Sequence, residues 1–196
     1  MKLNIAAFAS HGGSNLQAII DGIKKGQLDG QIKVVISNNS DSFALIRAAR
    51  ENIPHFHISA YTHEKVDEKI LELMHMYDIN IIVLAGYMKK LPDKVIDEYR
   101  NHILNIHPAL LPGFGGKGMY GLNVHRAVIE AKEEYTGVTV HLVNENYDEG
   151  DILHQIKVKV MKDDTPESLA ARVLTEEHKI YLETLKMIST GKIMLK

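Results

Sequence analysis

The segment Leu3-Asn4-Ile5-Ala6-Ala7-Phe8-Ala9-Ser10-His11-Gly12-Gly13-Ser14-Asn15-Leu16 runs from an apolar stretch through a glycine turn into an amphipathic one. Residues 3–9 predict a buried strand and 15–25 a helix, so the glycines sit where strand hands over to helix. The same alternation continues outward. Residues 32–37 predict a second strand, Asn39-Ser40-Asp41 offers caps for a helix over 43–51, and 55–58 predict a short third strand. From Thr62 onward Val66, Ile70, Leu73, Met74 and Tyr77 recur at helical spacing. Residues 81–85 form an apolar run closed by Gly86, the pattern of a strand covered on both faces. Residues 92–100 predict a helix, and Ile103–His107 a further strand. Alternation of this kind argues for right-handed crossovers, hence a doubly wound α/β domain: a mostly parallel twisted sheet with helices on both faces.

The second half reads differently. A short helix is expected over 125–131, then strands over 136–143 and 152–160. Asp164-Thr165-Pro166-Glu167 is a strong helix start, a cap followed by proline, and the helix should run to about Thr190 before Gly191. With no repeat or linker, residues 1–196 are expected to form one domain, its N-terminal half binding phosphate and its C-terminal half catalytic.

Composition narrows the function. The formal net charge of -2 gives no global positive field, and no dense Lys/Arg run offers a local one, so a nucleic-acid partner is not expected. The absence of cysteine removes disulfides, thiolate nucleophiles and Cys-type zinc sites, and suits the cytoplasm. The apolar run over 79–88 contains Asn80 and is too short to span a bilayer, so no membrane partner is expected. His55-Phe56-His57 is the only closely spaced histidine pair and lacks a third ligand at diagnostic spacing, so no metal is expected. No G-x-S-x-G elbow marks a covalent nucleophile.

In open α/β sheets ligands sit at the carboxyl ends of strands, and three features fall there. The first is the Gly13-Ser14-Asn15 turn, where glycine backbone and a helix N-terminus suit a phosphate. A plain strand-to-helix turn explains it as well. The second is Asn105-Ile106-His107-Pro108: residues i and i+2 of a strand share a face, so an amide donor and an imidazole point together at the strand's exit. Such a pair can hold an oxyanion and move a proton, although a histidine satisfied by backbone is the commoner outcome. The third is Tyr147-Asp148-Glu149-Gly150-Asp151, a turn whose carboxylates are either solvated or placed to raise an imidazole's pKa. His141 reads as structural. On the last helix Glu177 lies within an apolar stripe, which implies a salt bridge or a ligand, and His178 is expected to be exposed. Residues 108–121 hold five glycines and two prolines, suited to a mobile lid or a surface loop. An NAD dehydrogenase lacks its glycine fingerprint here.

With those residues in hand, the chain resembles the folate-dependent formyltransferases, and among them the glycinamide ribonucleotide branch. The resemblance spans nearly the whole chain. It rests on Gly13-Ser14-Asn15-Leu16-Gln17-Ala18-Ile19-Ile20, Val83-Leu84-Ala85-Gly86-Tyr87-Met88, Leu104-Asn105-Ile106-His107-Pro108-Ala109-Leu110-Leu111-Pro112, and Ala171-Arg172-Val173 through Glu177-His178. It implies a Rossmann-like formyltransferase domain, with 10-formyltetrahydrofolate as co-substrate and glycinamide ribonucleotide as acceptor, in purine biosynthesis. It further implies that Gly13, Ser14 and Asn15 hold the phosphate and that Glu177 contacts the ribonucleotide. Met88, Lys89, Lys90 and Leu91 would line the folate pocket, with Asn105 touching the formyl group and His63 nearby. His107 would be the proton donor, working in its protonated form, and Asp148 would tune it. The chain departs from the family pattern at His11, where glycine is usual, and at His63 and Lys89, where arginine is expected. The stretch over 113–121 is richer in glycine than in compact members. A formyltetrahydrofolate hydrolase and a sugar-phosphate sensor remain the alternatives.

Overall fold

A computed structural model describes residues 2–195. Its elements, in chain order, are β1 (Leu3–Phe8), α1 (Ser14–Lys24), β2 (Gly30–Ser37), α2 (Phe43–Arg50), β3 (His55–His57), α3 (Val66–Met76), β4 (Ile81–Leu84), α4 (Asp93–Glu98), β5 (Ile103–His107), α5 (Leu122–Glu130), β6 (Tyr135–Leu142), β7 (Ile152–Lys159) and α6 (Pro166–Ser189). One sheet holds all seven strands in the order β3-β2-β1-β4-β5-β6-β7. The first five pair in parallel, and β6 and β7 extend the sheet antiparallel. The chain starts at the middle of the sheet, works to one edge, then returns through β4 to the other.

Side-chain parity explains the two layers. Ile5, Ala7, Ile81, Val83, Leu104 and Ile106 face one core with Leu16, Ile19, Val173 and Tyr181 of α1 and α6. Their neighbours Ala6, Phe8, Ile82, Leu84 and Ile103 face the other, against Ile70, Leu73, Met74, Val95 and Ile96 of α3 and α4. A strand covered on both faces is apolar on both, as residues 5–8 of β1 and all of β4 are. Tyr181 is fully buried, and its hydroxyl bridges the Leu84 carbonyl at 3.2 Å and the Leu104 carbonyl at 3.0 Å. That bond fastens α6 beneath the ends of β4 and β5.

Most element boundaries agree with the sequence within two residues, and the exceptions have local causes. Ser42, rather than Asn39 to Asp41, caps α2, its hydroxyl accepting from the Ala44 N–H. α3 begins at Val66, because Ser59 and Thr62 close a turn on themselves first. α5 begins three residues earlier than expected, at Leu122, which places His125 inside the helix.

Candidate active site

The pleat of β5 brings Asn105 and His107 to one face at its carboxyl end, and the ladder sets them opposite His141 and Thr139 of β6. The turn between β6 and β7 returns Asp148 to the same spot, in a left-handed backbone conformation with φ 58° that aspartate tolerates better than most residues.

His107 is only 3% exposed. Its Nε2 lies 2.7 Å from the Phe114 carbonyl oxygen. A carbonyl can only accept, so Nε2 carries the proton, and Nδ1 faces Asp148 Oδ2 at 3.6 Å. His141 Nδ1 donates to the Leu142 carbonyl over 2.7 Å, and its Nε2 lies 3.1 Å from Asn105 Nδ2 and 3.5 Å from Asp148 Oδ1. Asn105 Nδ2 also lies 3.5 Å from Asp148 Oδ1, and the Gly116 N–H donates to Asp148 Oδ2 over 2.9 Å.

Burial is the strongest influence on His107 and holds its pKa below the ordinary imidazole value, outweighing the upward pull of Asp148 and the Phe114 carbonyl. That direction favours the neutral ring at rest, whereas the resemblance implied a protonated working form. Burial pushes Asp148 upward, yet the His141 contact, the His107 ring and the Gly116 N–H together hold its carboxyl below the usual range.

A second cluster joins α1 to α6. Asn15 Nδ2 donates to Glu177 Oε2 over 2.7 Å. Burial raises the Glu177 carboxyl, and the Asn15 bond only partly opposes it. Asn15 is 6% exposed, and its Oδ1 has no hydrogen-bond partner. Gly13 precedes α1 with φ 66° and no side-chain cap, so the first N–H groups of the helix are left for a ligand or water. A side chain at Gly13 would also meet the Ala44 Cβ at 2.8 Å. α2 clamps this loop from outside: the Ser42 hydroxyl and Ala44 N–H donate to the His11 carbonyl, and Arg47 Nε donates to the Gly12 carbonyl over 2.8 Å. The exposed His11 side chain leaves that anchoring untouched.

Both clusters border one cavity of about 560 Å³. Asn15 and Glu177 line it, as do Asn105, His107 and Asp148, with Met88, Lys89, Lys90 and Leu91 as a further wall. The Ser10 hydroxyl links the walls, accepting from the Met88 N–H at 2.7 Å and donating to Asn38 Oδ1 at 2.5 Å. Gly13 and Ser14 stand beside Asn15 but do not border the cavity. His63 does not border it either; its ring Nδ1 lies 2.9 Å from Thr62 Oγ1.

Several site groups had little or no mark in the sequence. Arg47 and the Phe114 and Gly116 backbone groups are three of them. His125 is a fourth; it is 4% exposed, borders the cavity and leaves Nδ1 unpaired. The sequence places it at the start of the expected 125–131 helix, with no mark of a site group. His178, expected to be exposed, instead has a buried Nε2 without a partner beside α1. Among the described residues no three His, Cys, Asp or Glu side chains gather as a metal site.

A sheet of this order brings an amide, an imidazole and a carboxylate together at the exit of β5. Residues 3–185 match the formyl transferase family, and the chain belongs to it. Within that family it groups with enzymes named phosphoribosylglycinamide formyltransferase. The chloroplastic enzyme of Arabidopsis thaliana is 41% identical, over 98% of this chain and 67% of that protein. The Escherichia coli enzyme is 36% identical, over 98% of this chain and 90% of its own length. The crystal structure of glycinamide ribonucleotide transformylase 1 from Symbiobacterium toebii superposes with a TM-score of 0.91 at 35% identity, covering 100% of this chain and 91% of that one.

Proposed function

We propose that the chain transfers a formyl group from 10-formyltetrahydrofolate to the amine of glycinamide ribonucleotide in purine biosynthesis. The observation that carries the reading is the single cavity. It runs from the Asn15–Glu177 pair past Asn105, His107 and Asp148 to the 88–91 wall, so two substrates can meet within it. The proposed compartment is the cytoplasm. Among the described residues no helix is long and apolar enough to cross a membrane.

In this reading Gly13, Ser14 and Asn15 offer amides and side-chain donors to the phosphate, and Glu177 holds the ribonucleotide beyond it. Met88 to Leu91 hold the folate, with the Lys89 and Lys90 ammonium groups at the rim. Holding both substrates in register, more than activating a nucleophile, supplies much of the rate.

Asn105 then serves the developing oxyanion. Its 3.5 Å contact to Asp148 is too long to bind strongly, so one N–H is available to turn toward the new negative charge. His107 works as base, then acid. Nδ1 takes a proton from the attacking amine as its bond to the formyl carbon forms, and Asp148 with the Phe114 carbonyl supports the imidazolium. His107 returns that proton to the folate nitrogen as the carbon–nitrogen bond to it breaks. Protons balance without solvent, and no acyl-enzyme is needed.

A spectroscopic assay tests the proposal: glycinamide ribonucleotide with 10-formyltetrahydrofolate should give tetrahydrofolate, and the donor alone should be stable. Donor breakdown without the amine would make the chain a hydrolase. Ribonucleotide binding with no folate binding would make it a sensor.

A further inference from the structure

The glycine-rich stretch has the composition of a mobile lid, but its first limb is wired to the catalytic groups. His107 Nε2 donates to the Phe114 carbonyl over 2.7 Å, and the Gly116 N–H donates to Asp148 Oδ2 over 2.9 Å. Gly115, between them, has no room for a side chain. A Cβ there would lie 2.6 Å from Leu111 Cδ2 and 3.2 Å from Asp148 Cβ. Leu111 is itself buried at 6% exposure, so it has little space into which to retreat.

We propose that residues 114–116 are a fixed brace of the catalytic pair. In this brace the Phe114 carbonyl keeps the His107 proton on Nε2, leaving Nδ1 as the working nitrogen. Gly115 is a positioning residue that lets the Gly116 amide reach Asp148. Only the kinetic arm of the test below rests on the formyl-transfer reading.

A neutral imidazole has two tautomers of similar energy, and an acceptor at one nitrogen selects between them. Here the acceptor is backbone, so no side-chain substitution at Phe114 removes it. The titratable groups facing the ring are Asp148 from the β6–β7 turn, His141 from β6 and His125 from α5. Asp148 and the Phe114 carbonyl both favour the imidazolium, while burial and His141 oppose it. Loosening the brace weakens the two favourable influences and relieves part of the burial, so the pH at which His107 loses its proton must shift.

Nitrogen-15 NMR of the wild-type protein, with His107 assigned by comparison with H107A, reads the tautomer directly. At neutral pH we expect a protonated Nε2 and an unprotonated Nδ1. The opposite tautomer, or an imidazolium, would overturn the brace whatever the enzyme's activity. In the kinetic arm, Gly115→Ala is expected to lower kcat about tenfold or more, as sub-ångström misplacement of catalytic groups does, with little change in either KM. The rising limb of kcat against pH should shift, which a merely less stable enzyme would not display. Wild-type kcat with an unmoved limb would also overturn the proposal. Should Gly115→Ala fail to fold, the tautomer measurement decides alone. A wild-type chain without transfer activity would sink the proposed function and leave that measurement to judge the brace.

Discussion

Asn15 and Glu177 lie 162 positions apart in sequence, and a 2.7 Å hydrogen bond joins them. The bond closes one end of the cavity with a carboxyl group whose pKa burial has raised. A half-buried acid with a raised carboxyl pKa is costly to folding unless a partner or ligand offsets it.

Glu177→Gln should therefore separate binding from stability. Losing a charged hydrogen-bond acceptor is worth about 1.5–3 kcal/mol, so KM for the ribonucleotide should rise about tenfold or more. Stability moves the other way. With its folded pKa raised, Glu177 favours the folded state fully only below the unfolded glutamate value, and that contribution is lost as pH rises toward the folded one. The variant lacks this loss, so its melting temperature should exceed that of the wild type at neutral pH but not in acid. Melting curves across pH check the sign.

His107 sets the pH dependence of turnover. The neutral ring accepts the amine proton, so kcat should rise as His107 deprotonates. Burial keeps that midpoint below the free imidazole value of about 6.5. A kcat that instead falls as pH rises through that range would restore the imidazolium as the working form. His107→Ala should cost at least about 10²-fold in kcat at saturation, the usual worth of such a group.

Arg47 acts on the phosphate end from outside the cavity. Its guanidinium holds the Gly12 carbonyl at 2.8 Å and Gln17 Oε1 at 3.1 Å. Arg47→Ala frees that loop, and losing bonds worth about 1 kcal/mol each should raise the ribonucleotide KM several-fold with kcat nearly unchanged. Lysine cannot donate in two directions from one plane, so Arg47→Lys should restore only part of the affinity. Steady-state kinetics with each substrate varied in turn makes the distinction.

His63→Ala tests what was expected from position in the chain against position in space. Its ring is engaged by Thr62 away from the cavity, so KM for the folate should not change. Lys89, which borders the cavity, should respond to the same substitution with a higher folate KM.

Much of this was legible in the sequence because it follows from periodicity. The apolar runs over 5–9 and 81–85 announce strands covered twice, and the i, i+2 spacing of Asn105 and His107 sets both at one exit. The proline after Thr165 marks the start of α6, whose apolar stripe contains Glu177. What could not be read depends on contacts between distant segments. His107's protonation follows from burial exceeding the pull of Asp148, a balance no motif encodes. The Phe114 carbonyl and Gly116 amide are backbone groups, present at every position and useful only where the chain folds back. Arg47 sat unnoticed on a helix because its target is a carbonyl. His63 lies outside the cavity because the Ser59–Thr62 turn, a local contact no motif marks, engages its ring.

The central claim is direct passage of the formyl group within one cavity, and following a carbon-labelled formyl group tests it most directly. With both substrates present, the account predicts label in formylglycinamide ribonucleotide, matched one to one by tetrahydrofolate, and none on the protein or in free formate. Label in formate, or bound covalently to the chain, would contradict it.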